Sequence, residues 1–242
     1  TNGLMKVLGV HVFPELAVGT IGIKEGSLTA AAGELQVEIK GKSGHGARPH
    51  EGVDAIWAAS KVVSGIQELI TRKLDTLDPF VITFGKINGG NAYNILAEKV
   101  DLIGTVRCTN PKLFKTVSGW LNDNISSIAN SCGAEALIKF REIAPPVNNN
   151  FEINKVIRDS AIQILGQKNV IELQKPSLGA EDFAEFLKDV PGAMFRLGVS
   201  GEKSCPPLHS SNFDPDEKAI FVAIKVITET IVRLNSKSKK GL

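Results

Sequence analysis

The segment that decides the fold opens with an alternating strand pattern, Glu34-Leu35-Gln36-Val37-Glu38-Ile39-Lys40. Such alternation is typical of a strand with one buried face. Apolar residues at helical spacing follow over 53–70, and a second helix is predicted from Asn110-Pro111, an N-cap followed by a first-turn proline. Further strands are predicted at 80–87, 100–107 and 136–140. The order strand, helix, strand, strand, helix, strand predicts a ferredoxin-like βαββαβ domain.

Small and chain-breaking residues bound this segment. Thr29-Ala30-Ala31-Ala32-Gly33 precedes it, and Pro145-Pro146-Val147-Asn148-Asn149-Asn150 follows it. Outside it, helices are predicted at 153–165, at 180–188 and from Asp214-Pro215 onward, with strands at 170–173 and 193–199. That alternation favours an α/β layer domain. The sequence therefore predicts a discontinuous α/β domain of residues 1–32 and 146–242, interrupted by a ferredoxin-like domain at 33–145. The last helix is apolar on most sides from Ala219 to Val232, so we expect it to be largely buried.

The composition narrows the classes of function. With 28 Lys and Arg against 26 Asp and Glu, the net charge of +2 argues against a nucleic-acid partner. No apolar run approaches the roughly 18 residues that a membrane span requires, so we expect no membrane partner. Three cysteines without paired spacing argue against a disulfide framework and indicate a reducing, cytoplasmic location.

Two histidines are candidate metal ligands. His11 lies in His11-Val12-Phe13-Pro14, and His209 follows Pro206-Pro207-Leu208. Each imidazole could bind a metal at a strand end or form a hydrogen bond to its own loop, and the residues alone leave both open. A catalytic zinc site needs about three protein ligands, so two histidines fall short. Glu181 and Asp182 could add carboxylates, or could be the acidic residues of a helix N-terminus.

Three other residues could contact a substrate. His45 lies in a Gly-rich loop and could donate a hydrogen bond to an oxyanion, although a plain surface turn explains the same composition. This loop lacks the Gly-Lys-Ser/Thr ending of a phosphate-binding loop. Asn94 could offer its amide to a ligand or cap its own turn. Arg107 ends an apolar strand and could bind a substrate carboxylate or form an internal salt bridge.

These motifs occur in one order along the chain, and the set is more specific than any member. They are His11-Val12-Phe13-Pro14, Ser43-Gly44-His45-Gly46-Ala47-Arg48-Pro49-His50, Gly89-Gly90-Asn91-Ala92-Tyr93-Asn94, Gly104-Thr105-Val106-Arg107, Gly179-Ala180-Glu181-Asp182-Phe183 and Pro207-Leu208-His209-Ser210. The set resembles the M20 metallopeptidases, in particular the amidohydrolase branch. That branch includes N-acyl-amino-acid amidohydrolases (aminoacylases), hippurate hydrolases and auxin-conjugate hydrolases.

The resemblance implies a fold and a set of roles. It implies an α/β metallopeptidase catalytic domain interrupted by a ferredoxin-like lid, which often serves for dimerisation. By motif position, His11 and His209 are expected to be metal ligands. His45 is expected to reach a neighbouring subunit's site and stabilise the oxyanion, while Asn94 and Arg107 bind the substrate, Arg107 through its carboxylate. No direct ligand role is assigned to Glu181.

The resemblance also implies an activity. A metal-activated water would hydrolyse the amide bond of an N-acyl amino acid or a related amide, with a glutamate as general base. One or two divalent ions are expected, zinc or manganese first, with cobalt or nickel as alternatives. The expected partners are the small-molecule substrate and a second copy of the chain, joined through the lid. Two alternatives remain, an M20 carboxypeptidase or dipeptidase and a non-catalytic dimerisation or binding remnant.

The sequence departs from the family pattern at one point. The family places a Cys and a His ligand, and a tandem Glu pair, upstream of the motif that contains His11. Residues 1–10 contain no Cys, His, Asp or Glu. We therefore expect the 242-residue chain to be the C-terminal portion of a longer enzyme, with little bound metal and no activity on its own.

Overall fold

The computed structural model describes residues 6–238 and divides the chain into two compact units. Unit 1 comprises Thr1–Thr29, Val147–Ser177 and Glu181–Leu242, and unit 2 comprises Ala30–Pro146 and Leu178–Ala180. The domain boundaries that the sequence predicts, at 33 and 145, stay predictions. In chain order the elements are β1 (Val7–Ala17), β2 (Ile21–Ile23), β3 (Gly26–Ser27), β4 (Ala31–Lys40), α1 (Ala55–Lys73), β5 (Phe80–Gly89), β6 (Lys99–Cys108), α2 (Pro111–Ser131), β7 (Glu135–Ala144), β8 (Asn148–Asn149), α3 (Phe151–Leu165), β9 (Val170–Glu172), α4 (Phe183–Phe186), β10 (Gly192–Ser200) and α5 (Lys218–Ser238), with short 3-10 helices at Pro49–Glu51 and Gln167–Asn169.

Unit 2 has the ferredoxin-like fold that the sequence predicts. Its antiparallel sheet has the strand order β5-β6-β4-β7, and α1 and α2 pack on one face. The apolar residues of β4 point into this core, since Leu35, Val37 and Ile39 are at most 2% exposed. Helix α2 begins as predicted, because the side chain of Asn110 accepts hydrogen bonds from the first-turn amides of Lys112 and Leu113.

The other face of this sheet is polar. Glu34 and Glu38 alternate with the buried residues of β4, so their side chains lie on the face without helices. Glu34 forms an ion pair with Arg141 of β7, and Glu38 forms one with Lys99 of β6. The hydrogen bond from Arg141 holds the pKa of Glu34 below its usual value.

Unit 1 is built around a four-stranded sheet of order β1-β10-β2-β9. β1 runs parallel to β10 and β2 parallel to β9, while β10 and β2 are antiparallel. Strand β10 is buried over nearly its whole length, and α3 and α5 contribute to the core beside it. A separate antiparallel pair, β3 and β8, joins the first and second sequence segments of this unit.

Two helices of unit 1 differ from the prediction. Helix α4 covers only Phe183–Phe186 instead of 180–188. Helix α5 begins at Lys218 rather than near Asp214. The amide of Asp216 donates to the carbonyl of Val199 at 2.9 Å, and its carboxylate accepts from the amide of Lys218. The bond to β10 keeps residues before 216 out of the helix, so Asp216 provides the capping carboxylate.

The expectation that α5 is largely buried was wrong. Ile220, Phe221 and Ile224 are 57%, 67% and 56% exposed. One face of the helix packs into the core, through Ala219 and Val226, and the second apolar face has no cover within the part of the chain that the structure describes. Within residues 6–238, no helix is long and apolar enough to cross a membrane.

Candidate active site

His11 presents a free nitrogen lone pair in the middle of β1. Its Nδ1 lies 2.8 Å from the carbonyl oxygen of Val12. A carbonyl can only accept a hydrogen bond, so Nδ1 carries the proton of the neutral ring. Nε2 then keeps its lone pair, which is the form that a metal ligand requires. The side chain is 35% exposed.

A carboxylate lies close to that nitrogen. Oε2 of Glu181 is 3.9 Å from Nε2 of His11, and the Glu181 side chain is only 13% exposed. The distance is too long for a hydrogen bond, so the two atoms face each other without using their lone pairs. Imidazole nitrogen and carboxylate oxygen together suit zinc, manganese, cobalt and nickel. The two residues therefore fit a divalent metal by ligand type.

Arg196 lies beside these two residues, and sequence reasoning missed it. It is the register partner of His11 on β10 and is 6% exposed. Its guanidinium donates to Oγ of Ser177 at 3.2 Å and lies 5.6 Å from the centre of the Phe13 ring. Burial lowers the pKa of Arg196, while the negative charges of Glu181 and Glu15 act in the opposite direction. The sequence feature that could have identified Arg196 is that it is a single charged residue within the apolar run of β10.

His209 lies in the loop between β10 and α5. Its side chain forms no hydrogen bond or ion pair with any residue from 6 to 238, and its φ of 65° is the only positive value for a non-glycine residue in that range. Ser200 fixes the base of this loop: its hydroxyl donates to the carbonyl of Pro14 and accepts from the amide of Cys205. The strand of His11 is thus joined to the start of the His209 loop.

The joint metal site of His11 and His209 stays a prediction. Among residues 6–238, no group of three or more His, Cys, Asp or Glu residues lies close enough to hold a metal ion. His11 and Glu181 are neighbours, and His209 does not complete a cluster with them. Asp182 precedes α4, and its side chain does not cap this helix.

His45 in unit 2 has the opposite proton arrangement. Its Nδ1 accepts a hydrogen bond from the amide of Ala47 at 3.1 Å. The proton of the neutral ring is therefore on Nε2, which makes Nε2 a hydrogen-bond donor. The ring is exposed, so this donor is available to a ligand. An oxyanion requires such a donor, whereas a metal requires the lone pair that His11 offers.

The loops of His45 and Asn94 are joined by backbone hydrogen bonds. The amide of Gly46 donates to the carbonyl of Asn94, and the amide of Leu96 donates to the carbonyl of Gly44, both at 2.9 Å. A Cβ atom at Gly46 would lie 2.9 Å from the Asn94 carbonyl oxygen, so this approach needs a glycine. The structure thus places the loop of His45 against the backbone of Asn94, and the contact of either residue with a substrate stays a prediction.

Arg107 lies at the other end of the same sheet. It pairs with Ala32 on β4, whereas Lys40, just before the His45 loop, pairs with Lys99 at the start of β6. At about 3.4 Å per residue, the eight steps from Lys99 to Arg107 span about 27 Å. Nη1 of Arg107 donates to the Thr105 hydroxyl and to the carbonyl of Val106. Within residues 6–238 Arg107 forms no salt bridge, so the alternative of an internal ion pair is not supported.

The comparisons with known proteins agree with this architecture. Residues 26–131 match the peptidase dimerisation domain of the M20 family. Unit 2 carries an M20 dimerisation domain. Over 229 residues the chain is 40% identical to a protein named "Probable hydrolase" from Synechocystis sp., covering 94% of this chain and 58% of that protein. The resemblance to the M20 family that the motifs predicted is thereby confirmed.

Two further relatives indicate the chemistry found in this family. An N-acetyldiaminopimelate deacetylase of Bacillus cytotoxicus is 38% identical over 225 residues, covering 93% of this chain and 58% of that enzyme. The crystal structure of a Bacillus subtilis protein, described as a dinuclear metal-binding peptidase of the M20 family, has a TM-score of 0.80 at 27% identity, covering 96% of this chain and 58% of that one. The chain thus spans about three fifths of the length of its M20 relatives.

Proposed function

We propose that the chain belongs to a metal-dependent amidohydrolase that cleaves the amide bond of N-acyl amino acids. The observation that carries this proposal is the opposite proton placement on two histidines. His11 offers a lone pair and His45 offers an N–H, which are the two functions that a metal-assisted attack on a carbonyl requires. The N-acetyldiaminopimelate deacetylase relative supports an N-acyl amino acid as substrate.

His11 and His209 would hold the metal, with Glu181 close to His11. A divalent ion held there would supply Lewis-acid chemistry, polarising the substrate carbonyl and activating a water. Zinc or manganese are proposed first, and cobalt or nickel are alternatives. The Nδ1 bond of His11 to Val12 fixes the ring orientation and leaves the Nε2 lone pair for the metal that these residues would hold. The general base and the remaining ligands would come from sequence corresponding to the part of the relatives outside the match.

Three residues of unit 2 would act on the substrate. Nε2 of His45 would donate to the carbonyl oxygen as negative charge develops there. Asn94, held next to His45, would contribute its amide. Arg107, which forms no salt bridge with residues 6–238, would bind the substrate carboxylate with its guanidinium.

The distance along β6 supports a two-subunit site. His45 and Asn94 lie at one end of the sheet and Arg107 lies about 27 Å away at the other. A small N-acyl amino acid cannot contact both ends of one unit 2. We therefore propose a homodimer through unit 2, in which each site takes His45 and Asn94 from one subunit and Arg107 from the other.

Mixing two inactive variants tests this arrangement. His45→Ala and Arg107→Ala subunits, combined as mixed dimers, would form one intact site and one doubly defective site. Free subunit exchange in an equal mixture should then restore about a quarter of the wild-type activity, because half of the dimers are mixed and each has one good site. No recovery despite demonstrated exchange would show that His45 and Arg107 act within one subunit.

A substrate panel tests the reaction itself. The whole protein, loaded with zinc or manganese, should release acid from N-acetyl amino acids, hippurate or N-acetyldiaminopimelate in preference to hydrolysing dipeptides. His45→Ala should lower kcat by roughly 10²–10³ at unchanged metal content, His11→Ala should lower the metal content, and Lys115→Ala, exposed on α2, should change neither. Faster turnover of dipeptides would favour the carboxypeptidase or dipeptidase alternative. A protein that binds no metal and hydrolyses none of these substrates would favour the binding remnant.

The 242-residue chain provides a second test. We propose that it is inactive alone, because the expected general base is not among its residues. Hydrolysis by a chain of verified mass would refute this. The proposed location is the cytoplasm, and fractionation of the source cells would test it.

A further inference from the structure

Arg196 is a buried charge in the sheet of unit 1. The residue is 6% exposed, and its guanidinium forms no salt bridge with any residue from 6 to 238. It donates a hydrogen bond to the neutral hydroxyl of Ser177 at 3.2 Å. Burying a charge without a close counter-charge costs free energy, and an apolar side chain of similar volume would avoid that cost. A charge retained in this position indicates a role beyond packing.

Arg196 lies on the same face of the sheet as His11. The two residues are register partners on β10 and β1, and partners in a parallel pair project to the same side. Their neighbours Val12 and Leu197 project to the other side and pack into the core that α3 and α5 share. The face that carries His11 and Arg196 is therefore turned away from these two helices.

The segment that carries Glu181 is attached to this face at two points. Four residues before Glu181, Ser177 accepts the hydrogen bond from Arg196. Two residues after it, the Phe183 ring lies against β1, since a Cβ atom at Gly9 would be 3.0 Å from that ring. The amide of Phe183 also donates to Oε1 of Glu181 at 3.5 Å. Glu181 is thus held between two anchors, and Arg196 provides one of them.

The charge of Arg196 acts on the same carboxylate. Burial lowers the pKa of Arg196, and the negative charges of Glu181 and Glu15 oppose this shift. The Phe13 ring, centred 5.6 Å from the guanidinium, adds a cation–π contact. Since opposite charges attract, the guanidinium that anchors the segment also draws the carboxylate of Glu181 toward this face.

We propose that Arg196 is a positioning residue for the candidate metal site. Through Ser177 and the charge of Glu181, it holds the Glu181 carboxylate beside Nε2 of His11, and this carboxylate strengthens the binding of a divalent metal there. The positive charge of Arg196 itself opposes a cation. Its effect on metal binding is therefore favourable only through Glu181. The inference rests on the proposed metal role of His11 and not on the proposed substrate.

Substitutions at position 196 test this role. The whole protein would be titrated with zinc, and the dissociation constant measured by competition with a chelator. Arg196→Met should weaken zinc binding roughly 10- to 100-fold, as is usual when a residue that orients a metal site is lost. Arg196→Lys keeps the charge and a hydrogen-bond donor, so it should weaken zinc binding less.

The sign of the effect should reverse when residue 181 is neutral. In a Glu181→Gln background, Arg196→Met should strengthen zinc binding, because the effect of Arg196 that remains is repulsion of the cation. A residue that merely stabilises the fold would weaken zinc binding by the same factor in both backgrounds. Arg158→Met is the matched control, since Arg158 is also an arginine of unit 1 but forms ion pairs with Glu25 and Glu172. It should leave zinc binding unchanged.

Crystal structures of the metal-free 242-residue variants give a readout that does not depend on metal. Arg196→Met should lose the 3.9 Å contact between Glu181 and His11, and Arg158→Met should keep it. The proposal is overturned if Arg196→Met keeps this contact, or if it weakens zinc binding equally in the two backgrounds. A wild-type protein that binds no zinc would count against the proposed function, and the crystal structures would still decide whether Arg196 positions Glu181.

Discussion

Replacing Gly46 with alanine should lower the stability of unit 2 and also disturb the geometry of its candidate catalytic residues, His45 and Asn94. The new Cβ would lie 2.9 Å from the Asn94 carbonyl oxygen and 3.2 Å from its carbonyl carbon. Both are backbone atoms, so the clash cannot be relieved by a rotamer change. The loops must move apart by several tenths of an ångström, which weakens the hydrogen bond from the Gly46 amide to Asn94. Loss of one such bond costs about 0.5–1.5 kcal/mol.

The matched control is Gly119→Ala in the middle of α2. Gly119 is exposed, and a methyl group added to its Cα would have no atom of the surrounding structure within 4 Å. Alanine should therefore stabilise this helix by about 0.5–1 kcal/mol. The two substitutions add the same methyl group, and the expected difference in the free energy of unfolding between them is about 1–2.5 kcal/mol.

Urea unfolding followed by tryptophan fluorescence measures this difference in unit 2. The chain has two tryptophans, Trp57 in α1 and Trp120 in α2, so the signal reports on unit 2. In the whole enzyme, Gly46→Ala should also lower kcat, by up to roughly 10²-fold, since that is the cost of a misplacement of about 1 Å in catalysis. Equal stability of the two variants, or full activity of Gly46→Ala, would show that the two loops are not held by this contact.

Three further predictions concern unit 2. Asn110→Ala should lower its stability by about 1–2 kcal/mol in the same urea assay, because two first-turn amides of α2 lose their acceptor and Asp78 loses the Asn110 donor; Asn110→Ser, which keeps a capping oxygen, should lose less. Burial raises the pKa of the Cys108 thiol, so at pH 8 iodoacetamide should modify the partly exposed Cys132 and leave Cys108 unmodified in the folded chain, as read by peptide mass spectrometry. Arg141 lowers the pKa of Glu34, so this ion pair adds stability above the ordinary pKa of 4.5 and loses it as the pH falls through the lower folded value. In Arg141→Gln, NMR titration should show the pKa of Glu34 moving back up.

The sequence alone predicted the secondary structure correctly where the local pattern and the tertiary environment favour the same element. The βαββαβ order of unit 2 follows from alternation in β4 and from the cap at Asn110, and both occur as predicted. Sequence reasoning failed at α5 for two different reasons. The start of the helix depends on the bond from Asp216 to Val199, a contact distant in sequence. The burial of the helix depends on what lies beside it, and a pattern that is apolar on two faces does not say which layers are present.

At the candidate site, too, the sequence alone does not give features that depend on contacts with other residues. Motifs predicted His11, His45, Asn94 and Arg107 as residue types, but the proton positions of the two rings come from single hydrogen bonds to Val12 and Ala47. The pairing of β6 with β4, which puts Arg107 far from Asn94, requires the strand register. Arg196 was missed because its role depends on Ser177, which is distant in sequence.

The register between β4 and β6 gives the sheet of unit 2 a defined length. If each site takes groups from opposite ends of two copies of this sheet, the number of residues between Lys99 and Arg107 sets the spacing between the two sites of the dimer. A one-residue insertion would turn Arg107 to the helix-covered face. A two-residue insertion in both β4 and β6 would keep Arg107 on the same face of the sheet but lengthen this strand pair by about 7 Å. Loops around the sites can vary in evolution, whereas the length of this strand pair is fixed by the separation of the two sites.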